Sequence, residues 1–405
     1  MKKTVNLLQE FSIPLISGVV IALLWANLSP ESYHHFIHDE IAGVVSIHFL
    51  VNDIFMVFFF AMATVEITQS LLPGGDLYPL KRSVNPIMST FGGVLGPITV
   101  FFILNHFIGS PEFMNGWGIP TATDIALAWL VARLVFGSHH PAVSFLLLLA
   151  IADDGIGLLI IAFFYTDPSN PLAPQWLLLT LAGMLVAFIL NKFKVRSYWP
   201  YLITGGTLSW FGLFMTGVHS SLALVFIVPF LPHSGQERLH LFEDDACDFS
   251  TLKRFQNEWK IIVDFGLLLF GLTNAGVEFS GINTVTWIIF AALLIGKTAG
   301  IFLFGSIAQL LGFPLPRGMS HKDLFVAGNV AAVGLTVALF VAGVAFPDGA
   351  IQGAAKMGAL FSAASVIISY TSGKLLRVEK VTTIERKECQ IVCEVIETPE
   401  NKDEE

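Results

Sequence analysis

Ala150-Ile151-Ala152-Asp153-Asp154 stands at the centre of an apolar run that extends from about Ala142 to Tyr165. A run of about 20 apolar residues spans a bilayer as a helix. At ~1.5 Å rise per residue the two carboxylates lie roughly 16 Å from either end. Charge at that depth is costly, so ionisable residues there mark function by default. Adjacent helix residues point about 100° apart, so the two carboxylates cannot both face one partner. One can meet a cationic side chain while the other faces a cavity. Carboxylate oxygens suit a hard cation, and two acids this close compete for protons and cations alike. A purely structural ion pair would need charges that balance, and one base does not balance two acids.

Working outward, the chain is 54% hydrophobic and only 13% charged, against about 25% charged residues in a soluble domain. Twelve apolar runs lie near 12–29, 50–71, 84–107, 118–136, 142–165, 176–191, 198–213, 217–231, 260–275, 284–311, 323–345 and 352–375. The seventh and eighth are joined only by Thr216-Gly217-Val218. The reading is an all-α membrane protein of twelve transmembrane helices. Charge in the connections agrees. With a cytoplasmic N-terminus, the outer gaps hold Glu31, Asp39, Glu40, Glu112, Asp167, Glu278 and Asp348 and no Lys or Arg. The inner gaps hold Lys81, Arg82, Lys192, Lys194, Arg196, Arg238, Lys253, Arg254, Arg317 and Lys322. That is the positive-inside asymmetry, and it places both termini in the cytoplasm. Met1-Lys2-Lys3 before an apolar run resembles a signal peptide. Without a small-x-small cleavage site it reads as a retained first helix.

Residues 1–377 read as the transporter domain and 378–405 as a mobile cytoplasmic tail. Glu237, Glu243, Asp244, Asp245 and Asp248 make the longest interior connection acidic. No basic stripe exists for nucleic acid. Cys247, Cys389 and Cys393 are too sparse for a disulfide framework. The tail offers no further Cys or His to complete a metal site around Cys389 and Cys393.

Two more ionisable residues share the depth of the acidic pair. Lys297, in Gly296-Lys297-Thr298 of the tenth run, is the counter-charge for one aspartate. It also suits a helix C-terminal pole. Asp124 follows Ile119-Pro120-Thr121-Ala122-Thr123, where proline and threonines predict a broken helix that frees backbone groups to line a cavity. The eleventh run, with Gly328-Asn329-Val330-Ala331-Ala332-Val333-Gly334-Leu335-Thr336, is breakable too. Helices 3-5 start inside and helices 10-12 outside, each triplet with its middle member interrupted. This is the pattern of inverted repeats with interrupted helices 4 and 11, where transporter sites form. Asp124 would balance the N-terminal poles and Lys297 the C-terminal ones. Weaker candidates for an access path or pH response are Glu66 and Asp53 in the second run and Asp264, about one turn into the ninth. His219 in Gly217-Val218-His219-Ser220 reads chiefly as a packing histidine. Arg133, near a helix end, can snorkel.

These residues resemble the NhaA-type sodium/proton antiporters. The matching stretches are Ala122-Thr123-Asp124-Ile125-Ala126, Ala150-Ile151-Ala152-Asp153-Asp154, Gly217-Val218-His219, Asn274-Ala275-Gly276-Val277 and Leu294-Ile295-Gly296-Lys297. Their order and spacing follow the family from about residue 10 to 375, and the set is specific as a group. The resemblance implies a bacterial inner-membrane exchanger that moves one Na⁺ or Li⁺ against two protons. Asp154 would be the main Na⁺ ligand, with Asp153 and Thr123 contributing, Lys297 paired to Asp153, and Asp124 beside the site. No cofactor and no enzymatic reaction are implied; the partners are Na⁺, H⁺ and the bilayer. There are departures. The family's second helix ends in Gly-Leu-Glu-Val-Lys-Arg-Glu, whereas Thr64-Val65-Glu66-Ile67-Thr68-Gln69-Ser70 keeps only the first acid. Leu267-Leu268-Leu269 replaces the stretch with the ninth helix's usual proline. The first outer loop is short, so a homodimer would not form through a long outer-loop hairpin. The rival readings are a sodium-coupled symporter of an organic anion, an intramembrane aspartyl protease and a passive cation channel. The symporter needs a spare cationic pocket, the protease needs acids on two helices, and the channel does not need paired broken segments.

Overall fold

A computed structural model of the protein describes residues 12–41, 45–72, 80–165, 173–233, 250–347 and 349–381. The N-terminal Met1-Lys2-Lys3, the acidic connection with Cys247, and the tail with Cys389 and Cys393 lie outside the described residues, as do Asp167, Arg238 and Asp348.

The protein is mostly helical because its apolar runs lack strand-like alternation and must satisfy their own backbone groups in lipid. We number the helical elements in chain order: α1 (Ile13–Leu28), α2 (Pro30–His38), α3 (Ile47–Leu71), α4 (Leu80–Ile108), α5 (Pro111–Thr121), α6 (Ile125–Phe136), α7 (Pro141–Phe164), α8 (Pro174–Lys192), α9 (201–216), α10 (Thr251–Asn274), α11 (Thr284–Leu310), α12 (His321–Ala331), α13 (Thr336–Ala345) and α14 (Gly349–Leu375). Six of these are long and apolar enough to cross a membrane, or eight when the bent pairs α5–α6 and α12–α13 each count as one span. Both expected interruptions are present: α5 meets α6 at 58° and α12 meets α13 at 50°.

Two expectations need correction. The run 217–231 is not one helix. Gly217 takes φ +85°, a left-handed conformation that ends α9, and two short 3₁₀ turns follow, Ser220–Leu222 and Val228–Phe230. The helix of the ninth run starts earlier, at Thr251, with Ser250 as its N-cap, so Asp264 sits well inside it and not one turn in. The first connection carries a hairpin of two residues per strand, β1 (Glu40–Ile41) and β2 (Val45–Ser46), with Glu40 opposite Ser46. It is as short as the loop length predicted.

The helices pack as two groups. One holds α1, α2, α3, α8, α9 and α10; the other holds α4 to α7 and α11 to α14. They touch chiefly where α3 meets α7 and α10 meets α13. In the second group α4 and α11 pack backbone to backbone. A Cβ on Gly92 would collide with the Gly300 carbonyl, and one on Gly96 with that of Gly296. Without a hydrophobic drive between helices in lipid, small residues supply the close packing. That contact fixes Lys297, between Gly296 and Gly300, against the centre of the fold.

Candidate ion-binding site

The break in α5–α6 spans Ala122, Thr123 and Asp124, and it crosses the break between α12 and α13. Asp124 N–H donates to the Val333 carbonyl at 2.8 Å. Thr123 Oγ1 donates to the Ala331 carbonyl at 3.0 Å, so each broken segment satisfies groups the other leaves open. Asp124 is the N-cap of α6: Oδ1 accepts from Leu127 N–H at 3.1 Å, and Oδ2 accepts from Thr336 N–H at 3.3 Å, at the first residue of α13. One carboxylate thus faces two helix N-termini, where their partial positive charges favour it. At the opposite pole, Lys297 Nζ donates to the Thr121 carbonyl at the end of α5. Asp124 thus lies at helix N-termini and Lys297 at a helix C-terminus.

Lys297 also donates to Asp153 Oδ2 at 2.8 Å, and both side chains are fully buried. The helix turn just before Lys297, Ala292–Lys297, is π-helical; such bulges are frequent at functional sites. The pair leaves Asp153 Oδ1 and Asp154 Oδ1 as buried carboxylate oxygens without a hydrogen-bond partner among the described residues. The 100° offset appears as a difference in surroundings. Asp154 lies on the wall of a cavity of about 830 Å³, and Asp153 does not. The wall also takes Thr123, Asp124 and Thr336 from the crossing, and Glu66, Lys260 and Asp264 from α3 and α10. It continues to Ser70, Asn257 and Ser12, at the ends of α3, α10 and α1. Gln69 Nε2 donates to Gln256 Oε1 at 2.9 Å across that mouth.

The weaker candidates separate. Glu66 and Asp264 join the cavity, and Glu66 interacts electrostatically with Lys260 and Asp264. Asp53 is not on that wall: its Oδ1 accepts from Ser220 Oγ at 2.7 Å, toward the other end of α3. His219 packs edge-on against Phe340, ring centroids 4.9 Å apart. Arg133 lies over the Trp129 ring at 4.4 Å. Sequence reasoning missed Lys260, visible only as the first charge of an apolar run. It also missed Lys356, buried in α14, although a lysine inside an apolar run is the signal that singled out Lys297. The backbone donor of Thr336 had no sequence signal at all.

The family described as Na⁺/H⁺ antiporter 1 matches residues 3–374. A Na⁺/H⁺ antiporter NhaA of Desulfitobacterium hafniense is 70% identical over 380 residues, covering 94% of this chain and 98% of that protein. The NhaA of Geotalea uraniireducens is 61% identical over the same shares, and that of Jannaschia sp. is 43% identical over 93% of this chain and 98% of its own. The solved structure of the sodium proton antiporter MjNhaP1 from Methanocaldococcus jannaschii at pH 8 is similar in fold, with a TM-score of 0.55 at 16% identity, covering 91% of this chain and 92% of that one. With the whole helical region matched and the acidic pair, lysine and crossed breaks in one site, the chain belongs to the Na⁺/H⁺ antiporter 1 family.

Proposed function

We propose that the protein exchanges Na⁺ or Li⁺ for protons by alternating access at Asp153 and Asp154, without cofactor or enzymatic step. The observation that carries this is Asp154 on the cavity wall, its Oδ1 without a hydrogen-bond partner among the described residues, one residue from the buried Asp153–Lys297 pair. A cation that reaches the inner end of the cavity meets Asp154 and Thr123 on its wall, with Asp153 behind them. Its charge weakens the hold of Asp153 on Lys297, and protons leave the carboxylates as it binds. The core then re-exposes the site on the other side, where protons displace the cation. Only a difference in affinity between the two states can drive that shift.

The relatives are named for Na⁺/H⁺ exchange, and Lys297 is engaged by Asp153. Lys260, the lysine on the cavity wall, neighbours Glu66, so among the described residues the organic-anion symporter is left without an uncommitted cationic group at the site. Within this reading the chain crosses a bacterial inner membrane twelve times, the short turns at 217–231 standing in for a full helix. Helices 3-5 and 10-12 form inverted repeats, and both termini are cytoplasmic. Residues 1–377 carry transport and 378–405 form an appended tail. The positive-inside charge pattern supports this orientation, in which the 830 Å³ cavity opens to the cytoplasm. Any homodimer would use a surface other than the short first-loop hairpin.

The test is cation-induced collapse of a pH gradient in everted vesicles, with Na⁺, Li⁺ and K⁺ across pH. Asp154→Asn should abolish the Na⁺ response, and a fully active Asp154→Asn protein would sink the assignment.

A further inference from the structure

On the side of Asp154 away from the cavity, a second set of ionisable side chains that the exchange site does not use runs from the buried Lys356 through the half-buried His48 to the exposed His38. Lys356 of α14 is 6% exposed, and among the described residues it has no hydrogen bond or ion pair. Its Cε and Asn274 Oδ1 approach the same point, each 3.9 Å from where a Cβ on Gly343 would lie. Asn274 Nδ2 donates to the Phe270 carbonyl at 3.3 Å and to Asn52 Oδ1 at 2.9 Å. The carbonyl can only accept, so the amide of Asn274 is fixed, and that of Asn52 with it. Asn52 must then present its NH₂ to His48 Nε2, 2.9 Å away. His48 therefore accepts at Nε2 and is neutral in this arrangement. Its ring stacks on His38 at 5.2 Å, and His38 on His34 at 4.5 Å, which carries the histidines out to the exposed face of α2.

We propose that His48 and Lys356 form a second proton-binding site, at the closed end of the protein, whose protonation from that side opens the contact of α13 and α14 with the α3–α10 pair. Resting on the orientation and exchange reading above, that side is the outside. A proton on His48 Nε2 sets N–H against the Asn52 amide and breaks the clasp joining α3 to α10. It also adds positive charge facing Lys356 from α14, His38 from α2 and His219 from the segment after α9, all of them electrostatic neighbours of His48. Among the described residues no acid stands ready to offset this. Asp53, on the same helix, is held by Ser220, and Asp39 pairs with His35 beyond His38. Glu112 and Glu278, next to the elements that pack on α14, are exposed. Burial, then the charges of His34 and Lys356, hold His38 below the ordinary histidine range, against the pull of Asp39. Histidine is the side chain that ordinarily changes charge between about pH 5 and 8, so acid on that side is the condition that adds this proton. Both consequences of protonation are relieved by the same movement, because Lys356 belongs to one helix group and the histidines to the other.

The experiment is labelling of Gly343→Cys from outside intact cells with a membrane-impermeant maleimide, in full-length protein with Cys247, Cys389 and Cys393 changed to Ser. A Cβ at 343 meets nothing closer than 3.9 Å, so the reporter fits. Labelling should be severalfold faster at external pH 6 than at pH 8. Lys356→Met and His48→Gln should each remove most of that ratio, and Lys356→Arg, which keeps the charge and controls for folding, should retain it. An unchanged ratio in both neutral variants, or no ratio in the parent, would overturn the proposal. Asp154→Asn in the same background should keep the ratio. A parent that labels as expected yet moves no protons with Na⁺ would overturn the exchange reading and not this one.

Discussion

Seen from Asp154, the two halves of the protein are built on opposite principles. Toward the end that carries Lys253, Arg254 and Lys374, the wall is polar and open, with Glu66, Gln69, Asn257, Lys260 and Asp264 around a cavity of about 830 Å³. Toward the other end, Phe340 packs edge-on against Phe60 at 5.1 Å and against His219 at 4.9 Å. Above that layer come the Asn52–Asn274 clasp and Lys356, which has no ion pair among the described residues. A solvated half tolerates charge because water serves it; a dry half must seal by packing. Exchange by alternating access requires these characters to trade places. The dry half must therefore be held by a few contacts that can be lost together, and the helix crossing between the halves must not be lost at all.

The largest effect should come from the boundary itself. Lys297→Met removes the partner of fully buried Asp153 and frees the Thr121 carbonyl at the end of α5. Leaving one member of a buried pair alone costs about 3–5 kcal/mol. Thermal unfolding in detergent should register a large drop for Lys297→Met. Much of it should return in Asp153→Asn/Lys297→Met, where no charge is left stranded. A single variant as stable as the parent would show that the crossing does not depend on this pair.

Phe340→Ala should act on the dry half alone. It deletes two ring contacts and costs roughly 1–3 kcal/mol, from lost packing more than lost burial, since lipid is as apolar as the core. The sharper signature is a leak. A pH gradient across vesicles should decay faster without Na⁺, while the apparent affinity for Na⁺ from the cavity side stays near that of the parent. Phe340→Leu should fall between the two. If neither variant leaks, the seal lies elsewhere and the contrast between the halves is misplaced.

How far the sequence shows this contrast depends on the type of signal. Asp153, Asp154 and Lys297 stand out because charge in an apolar run has few physical excuses, and the 100° step between neighbours already separates the cavity-facing acid from the paired one. The breaks near Asp124 and Gly334 are legible through Pro120, the threonines and the glycines. What each break bonds to is not: the Val333 carbonyl and Thr336 N–H are backbone groups, which every residue carries. The run at 217–231 misleads because its composition is apolar enough for a helix while Gly217 turns the chain aside. Asp53 misleads in the opposite sense, sharing α3 with Glu66 yet lying toward its other end with Ser220. Lys356 carries the same signal as Lys297, and nothing in the flanking sequence separates the two.

The smallest effect belongs at the basic end, outside the cavity. There Arg254 Nε donates to Glu258 Oε1 at 2.7 Å, and the Tyr198 hydroxyl donates to Oε2. The Arg254 hydrogen bond, then that of Tyr198, holds the Glu258 carboxyl below the ordinary carboxylate range. A carboxyl held low in the folded protein contributes stability that is present above its unfolded pKa and lost as pH falls through the folded one. Glu258→Gln should therefore lower the unfolding temperature slightly at neutral pH, and parent and variant should converge once pH falls below the carboxylate range. Salt should narrow the difference as well, because the pair is exposed and screened. Transport should be close to that of the parent. A Glu258→Gln protein that leaked like Phe340→Ala, or lost Na⁺ response like Asp154→Asn, would mean that the open end is also held by specific contacts. The two halves would then differ in solvation and not in how they are gated.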